Sequence, residues 1–284
     1  MGDGGPYGIV VGPDGALWTT LVHAGALARV SGAGEVTRFP LDSPTCAPSV
    51  LVSAPDGALW FTRNADDRLG RLTVDGAATS VPVGAAPYGL AAGPDGALWF
   101  TELSADRIGR LGPHGELDEF ALPVPGGFPA FVTAGTDGAL WFTLNQGNAV
   151  GRITPEGDVE LVPLPTPDAA PVGIACTSGG AIWFAEIGAG QLGRIGTDGR
   201  IVEFGLPDRG ARPHAVVADA DGGCWFTEWA ANRVGHLTAE GRLTEYALPP
   251  EVAEPHGITL DAAGAAWTAL ESGHVVRLGP GPVA

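Results

Sequence analysis

The chain is poor in positive charge. Its 284 residues carry 15 Lys and Arg against 32 Asp and Glu, a formal net charge of −17. Such an acidic surface is a poor partner for nucleic acid, whose phosphates need a basic face; the plain consequence of the acidity is solubility. Cysteine is scarce as well. Cys46, Cys176 and Cys224 show no C-x-x-C spacing, so neither a disulfide framework nor a zinc site is expected. Cys176 and Cys224 lie in apolar surroundings and read as buried thiols. No apolar run approaches the roughly 18 residues of a membrane span. The segment Met1 to Pro6 has neither the basic nor the apolar region of a signal peptide. These absences lead to the expectation of a cytoplasmic protein with no membrane partner. Sustained helical periodicity is also missing, so almost no helix is expected.

Glycine and proline, by contrast, are abundant, with 45 and 25 residues. They recur at fixed places as D-G and P-x-G turns, which marks many tight turns and argues against disorder. Tryptophan sets the period. Trp18, Trp60, Trp99, Trp141, Trp183, Trp225 and Trp267 are separated by 42, 39, 42, 42, 42 and 42 residues. Each sits in a version of the phrase Gly93-Pro94-Asp95-Gly96-Ala97-Leu98-Trp99-Phe100-Thr101-Glu102. A strand-patterned repeat of about 40–45 residues is the mark of a β-propeller blade. One copy divides into four strands, at 88–92, 97–101, 107–111 and 116–122. Four strands in each copy predict an all-β, seven-bladed propeller occupying residues 1–284 as one domain. Six copies carry a fourth strand, at 36–41, 79–83, 117–122, 159–164, 201–206 and 243–248. The seventh runs out after Leu278, which predicts a blade of three strands or a chain start placed too late.

Aligned copies act as an internal control, because a residue present in every blade is architectural. The seven repeated Trp residues are core by that test. Arg29, Arg71, Arg110, Arg152, Arg194 and Arg277 recur on third strands and are expected to bridge blades, with His236 replacing one. Glu102, Glu186 and Glu228 share a column and are expected to make salt links at blade edges or the channel rim. His114 reads as a surface turn residue, and His23 and His274 as residues near strand edges. Exceptions to the pattern point elsewhere. The x-P-x-G phrase opening each innermost strand is small or aromatic in most blades, but blades six and seven insert Arg212, His214, Glu254 and His256. Blade seven moves its carboxylate one place along, to Glu271, which changes the sheet face it occupies. Blade six adds Trp229 at the same height, and ring closure brings Tyr7 alongside. Glu254 and His256 share a face if that segment is extended. Two carboxylates with water suit Mg2+, and a neighbouring His can act as a base near neutral pH.

At these residues the chain resembles the streptogramin B lyases, the virginiamycin B lyase family. The phrases carrying the resemblance are Gly5–Ile9, Ala139–Gln146, Ala211–Ala215 (A-R-P-H-A), Trp225–Gly235 and Ala253–Ile258 (A-E-P-H-G-I). R-P-H followed by E-P-H and a displaced carboxylate is the specific part, and the match extends over nearly the whole chain. The resemblance implies a seven-bladed propeller that opens the threonyl ester of cyclic depsipeptide antibiotics by elimination, conferring resistance. It implies His256 as proton acceptor, Glu254 and Glu271 as Mg2+ ligands, and His214 as a substrate contact that orients the ester or protonates the leaving group. Tyr7 and Trp229 would line the substrate pocket. A monomer acting on a small molecule is the corresponding expectation. Arg63 and Leu144 stand where the family usually shows Glu, and the amino-terminal outer strand is missing. A metal-dependent lactone or ester hydrolase, and a non-catalytic binding propeller, are the alternatives.

Overall fold

The computed structural model describes residues 2–279, which form six four-stranded antiparallel sheets and one three-stranded sheet. Each sheet is a simple meander of consecutive strands, and innermost strands of neighbouring blades pack side by side around the axis, blade one against blade seven included. Helix among the described residues is confined to two short 3-10 turns, Gly2–Gly4 and Trp229–Ala231. No described helix is long and apolar enough to cross a membrane.

Strand positions follow the repeat to within about a residue. Blade three runs Pro87–Ala92, Leu98–Glu102, Arg107–Leu111 and Leu117–Ala121. The second strand starts later than the sequence suggests because the Gly93 N–H donates to the Ala97 carbonyl at 2.8 Å, which keeps Ala97 in the turn. The fourth ends earlier because the Leu122 N–H leaves the ladder for the Asp106 carbonyl. Blade seven has three strands, Pro255–Leu260, Ala266–Leu270 and His274–Leu278.

The Trp column is core, graded by its neighbour on strand four. Trp18, Trp99, Trp183 and Trp225 lie 5.1–5.6 Å from Phe39, Phe120, Phe204 and Tyr246 and are at most 5% exposed. Trp60 and Trp141, opposite Val-bearing strands, and Trp267, whose blade lacks that strand, are only half-buried. Ring-on-ring contact supplies apolar area that a valine cannot. Glycine is demanded on strand three: a Cβ at Gly109 would sit 2.1 Å from the Phe100 ring.

The expectation about the arginine column is corrected. Arg29, Arg71, Arg110 and Arg152 do not bridge blades. Each pairs at 2.6–2.8 Å with an Asp in the turn of its own blade (Asp14, Asp56, Asp95 and Asp137), and the same Asp accepts from the Trp indole. Only Arg194 crosses, to the Ala239 carbonyl. Blades are stitched instead by threonine, which follows Trp by two residues. Thr20, Thr62, Thr101, Thr143 and Thr227 each donate a hydroxyl hydrogen bond to an innermost-strand carbonyl of the next blade, at 2.7–2.9 Å. Of the cysteines, Cys46 and Cys224 are buried while Cys176 is only half-buried.

Candidate active site

The site is built on a backbone irregularity repeated in all blades. The residue before each innermost-strand Pro has φ between 47° and 62°: Gly5, Ala47, Ala86, Phe128, Ala170, Arg212 and Glu254. Register is then interrupted by a bulge just inside each innermost strand, as between Pro213 and Val216 and between Pro255 and Ile258. Bulges re-aim side chains, and here they turn His214 and His256 toward the axis. Glu254 therefore does not share an extended strand face with His256, as alternation suggests. It precedes the strand in left-handed conformation and is exposed.

His214 and His256 lie edge to face, ring centroids 5.3 Å apart. Tyr7 stacks on His256 at 4.3 Å and meets His214 edge-on at 6.3 Å. Trp229 opens the 3-10 turn of blade six. Its ring is 6.4 Å from His256 and carries the Arg212 guanidinium 5.8 Å above it. Glu271 lies in the turn after the second strand of blade seven, and its N–H donates to the Glu254 carbonyl at 3.1 Å. Its carboxylate bonds His256 Nε2 at 2.7 Å and His23 Nε2 at 2.6 Å. All six residues expected at the site thus converge where blades six, seven and one meet.

The aromatic floor was not anticipated. Tyr88 shares a 2.5 Å hydroxyl–hydroxyl hydrogen bond with Tyr7, and Phe131 packs edge-on to both Tyr88 and His214. Tyr7, Phe131 and His214 line an axial cavity of about 160 Å3. Tyr88 sits in the x-P-x-G column where aromatics looked bland, and His23 lies on a turn. Tyr88 carries no signal in the aligned copies, and His23, though it departs from its column, reads as a residue near a strand edge.

Burial dominates the electrostatics. It pushes His214 down to about 3, helped by His256, so this imidazole is neutral at neutral pH. His256 is also lowered by burial, against the opposing pull of the Glu271 charge and hydrogen bond. Burial raises Tyr7 and, more strongly, Tyr88. Nδ1 of both His214 and His256 is buried without a hydrogen-bond partner. With Nε2 of His256 turned to a carboxylate acceptor, the proton resides on Nε2, and the lone pair is on Nδ1. The imidazole is therefore arranged as a base.

Glu254 and Glu271 offer carboxylate oxygens from two segments joined by a backbone hydrogen bond. That donor set fits Mg2+, which keeps several waters and takes one or two carboxylates. No described cluster of three or more His, Cys, Asp or Glu side chains is placed to hold an ion, so the remaining ligands would be water or substrate.

Of the repeated carboxylates, Glu228 makes a salt link, while Glu102 and Glu186 do not. Glu102, Glu186 and Glu228 are fully buried inside blades three, five and six. Burial first, then Glu119, Glu203 and Glu245 on strand four, raise them to about 7. Glu228 pairs with Arg233 at 3.1 Å and Glu186 accepts from Gln191 at 2.6 Å, whereas neither Glu102 oxygen has a partner. Clefts of about 480 and 620 Å3 between blades lie among turns and contain none of the expected site residues.

Comparison with known proteins converges on one family. Residues 1–278 match the model of the Virginiamycin B lyase family. The structure superposes on virginiamycin B lyase of Staphylococcus aureus with a TM-score of 0.93 and 42% identity, covering 97% of this chain and 94% of the other. A catalytically inactive histidine-to-alanine variant of that enzyme with quinupristin matches at a TM-score of 0.93 and 41% identity, with the same coverage. A virginiamycin B lyase of Mycolicibacterium smegmatis is 52% identical over 48 residues, 17% of each chain. That alignment spans well under two thirds of the relative's length.

Proposed function

The chain belongs to the virginiamycin B lyase family, and from that premise we propose that it linearises type B streptogramins by elimination at the threonyl ester. The observation that carries the proposal is His256: a buried imidazole stacked on Tyr7, with a hydrogen bond to Glu271 through Nε2 and an Nδ1 without a hydrogen-bond partner.

His256 Nδ1 removes the α-proton of the threonyl residue. The Cα–H electron pair forms the Cα=Cβ bond, the Cβ–O bond breaks, and its pair leaves with the ester oxygen as a carboxylate. No water is consumed and no covalent enzyme intermediate forms. Glu271 holds the imidazole in the required tautomer and stabilises the imidazolium that results, the role a carboxylate plays beside a catalytic His in hydrolases. Tyr7 covers one face of that ring and keeps it from turning. His214 is neutral, so it orients the ester as a hydrogen-bonding group. A carboxylate leaving group does not need protonation, so a cationic His214 is not required. Glu254 and Glu271 would hold Mg2+, which when bound supplies Lewis-acid stabilisation of developing negative charge. The acidic surface and the absence of a long apolar helix among the described residues suit a freely diffusing cytoplasmic enzyme.

The test is incubation with a type B streptogramin, with Mg2+ or chelator, followed by mass measurement. A linear product of unchanged mass is expected, and none from His256→Ala. A product heavier by one water, or full activity in His256→Ala, overturns the proposal.

A further inference from the structure

The second imidazole on Glu271 is that of His23, in blade one. His23 follows the Trp of blade one by five residues, where the other blades carry Ala65, Ser104, Gln146, Gly188, Ala230 and Ser272. It reaches across the seam at which the ring closes. Its own N–H donates to the Gly4 carbonyl at 3.1 Å, and the preceding Val22 N–H to Gly5 at 2.9 Å. Its Nε2 lies 2.6 Å from Glu271 Oε1, while His256 Nε2 lies 2.7 Å from Oε2.

A second feature shows that this placement is built in. The residue before the innermost-strand Pro is left-handed in every blade, yet only blade one uses glycine there. Six non-glycine residues tolerate the same φ, so backbone freedom does not require Gly5. Space does: a Cβ at Gly5 would sit 2.4 Å from His23 Cδ2 and 3.0 Å from Nε2. The imidazole occupies the volume that the repeat assigns to a side chain.

We propose that His23 is a positioning residue of the active site, whose Nε2–H holds one oxygen of Glu271 so that the other stays on His256 Nε2. Glu271 sits on a turn and is partly exposed. With only one donor its carboxylate is free to rotate toward solvent, whereas two donors on opposite oxygens fix its plane. The orientation of His256 Nδ1 follows from that plane. The inference rests on the reading of His256 as proton acceptor.

Groups that hold a ligand or base from behind are typically worth about 10- to 100-fold in activity. His23→Ala is expected to lower kcat by that order with KM little changed. His23→Gln, whose amide presents an N–H at similar reach, restores most of it. Gly5→Ala lowers kcat like His23→Ala by displacing the imidazole, and adds nothing in the His23→Ala background, the mark of two changes acting through one contact. Long-range proton–nitrogen spectra of the metal-free, substrate-free protein supply a readout independent of turnover. His256 is expected as the Nε2–H tautomer in wild type and as a mixture in His23→Ala. An unchanged His256 tautomer and kcat in His23→Ala, or no rescue by Gln, overturns the inference. Absence of any turnover in wild type with the tautomer shift intact would instead overturn the lyase reading alone.

Discussion

Replacing Glu102 with leucine should alter how stability depends on pH. Glu102 is fully buried, neither of its oxygens has a hydrogen-bond partner, and its pKa is raised from 4.5 to about 7 by burial and then by Glu119. A carboxyl whose folded pKa exceeds its unfolded one binds its proton more tightly when folded. Its contribution is therefore fully present below 4.5 and is lost as pH rises through about 7. The shift corresponds to about 3 kcal/mol between those limits. Glu186 and Glu228 are displaced in the same direction, to about 7. His214, lowered to about 3, works the opposite way: its contribution is present above 6.5 and is lost as pH falls. The wild-type curve is thus a sum of opposing slopes, and the difference between two proteins isolates one group. Blade four already carries Leu144 in this column, with Leu161 where blades three, five and six have Glu, so the side chain suits the site. Urea unfolding of both proteins from about pH 5 to about pH 9 should show the Glu102→Leu advantage growing with pH by roughly 3 kcal/mol. Parallel curves across that range would refute the reasoning.

Gly109→Ala places a Cβ against the Phe100 ring and should cost about 1–3 kcal/mol by overpacking, read as a lowered unfolding midpoint; an unchanged midpoint would mean that strand three has room to shift. Thr227→Val leaves the Ala215 N–H and the His256 carbonyl without the hydroxyl that joins them. A loss of about 1–3 kcal/mol is expected, together with reduced kcat, since the backbone carrying His256 is loosened. Equal stability with unaltered kcat would remove Thr227 from the support of the site.

The fold could be read from the sequence because every blade repeats the same solution. Trp spacing, the D-G turns and the x-P-x-G phrase each report a local rule, and seven copies suppress the noise in any one of them. The positions of His214, His256, Glu271 and Trp229 could be read for the opposite reason, as departures from that rule, and that of Tyr7 from ring closure. Contacts between columns were not legible. Arg110 recurs as regularly as a blade-bridging residue would, but only coordinates show that it turns back to Asp95 in its own blade. His23 departs from its column, but its role was not legible because its partner lies 248 residues away across the closing seam. The strand-face argument for Glu254 failed because a left-handed residue before a bulge breaks the period of two on which that argument depends.

The one-residue displacement of the blade-seven carboxylate changes its chemistry more than its position suggests. Three residues after Trp, a side chain is sealed within the blade. Glu102, Glu186 and Glu228 are there, fully buried and raised to about 7, and blade seven fills that place with buried Leu270. One residue later the chain has left the ladder, and Glu271 meets the channel mouth with 23% of its side chain exposed. There it finds two imidazole donors in place of a second carboxylate. A buried carboxyl that shares its surroundings with another Glu is pushed to hold its proton, whereas each Glu271 oxygen meets an imidazole nitrogen. Only the second arrangement can orient a base or contribute oxygen to a divalent cation. Moving Glu by one place therefore brings a repeated structural group out to the channel mouth, at the seam where blade one supplies His23.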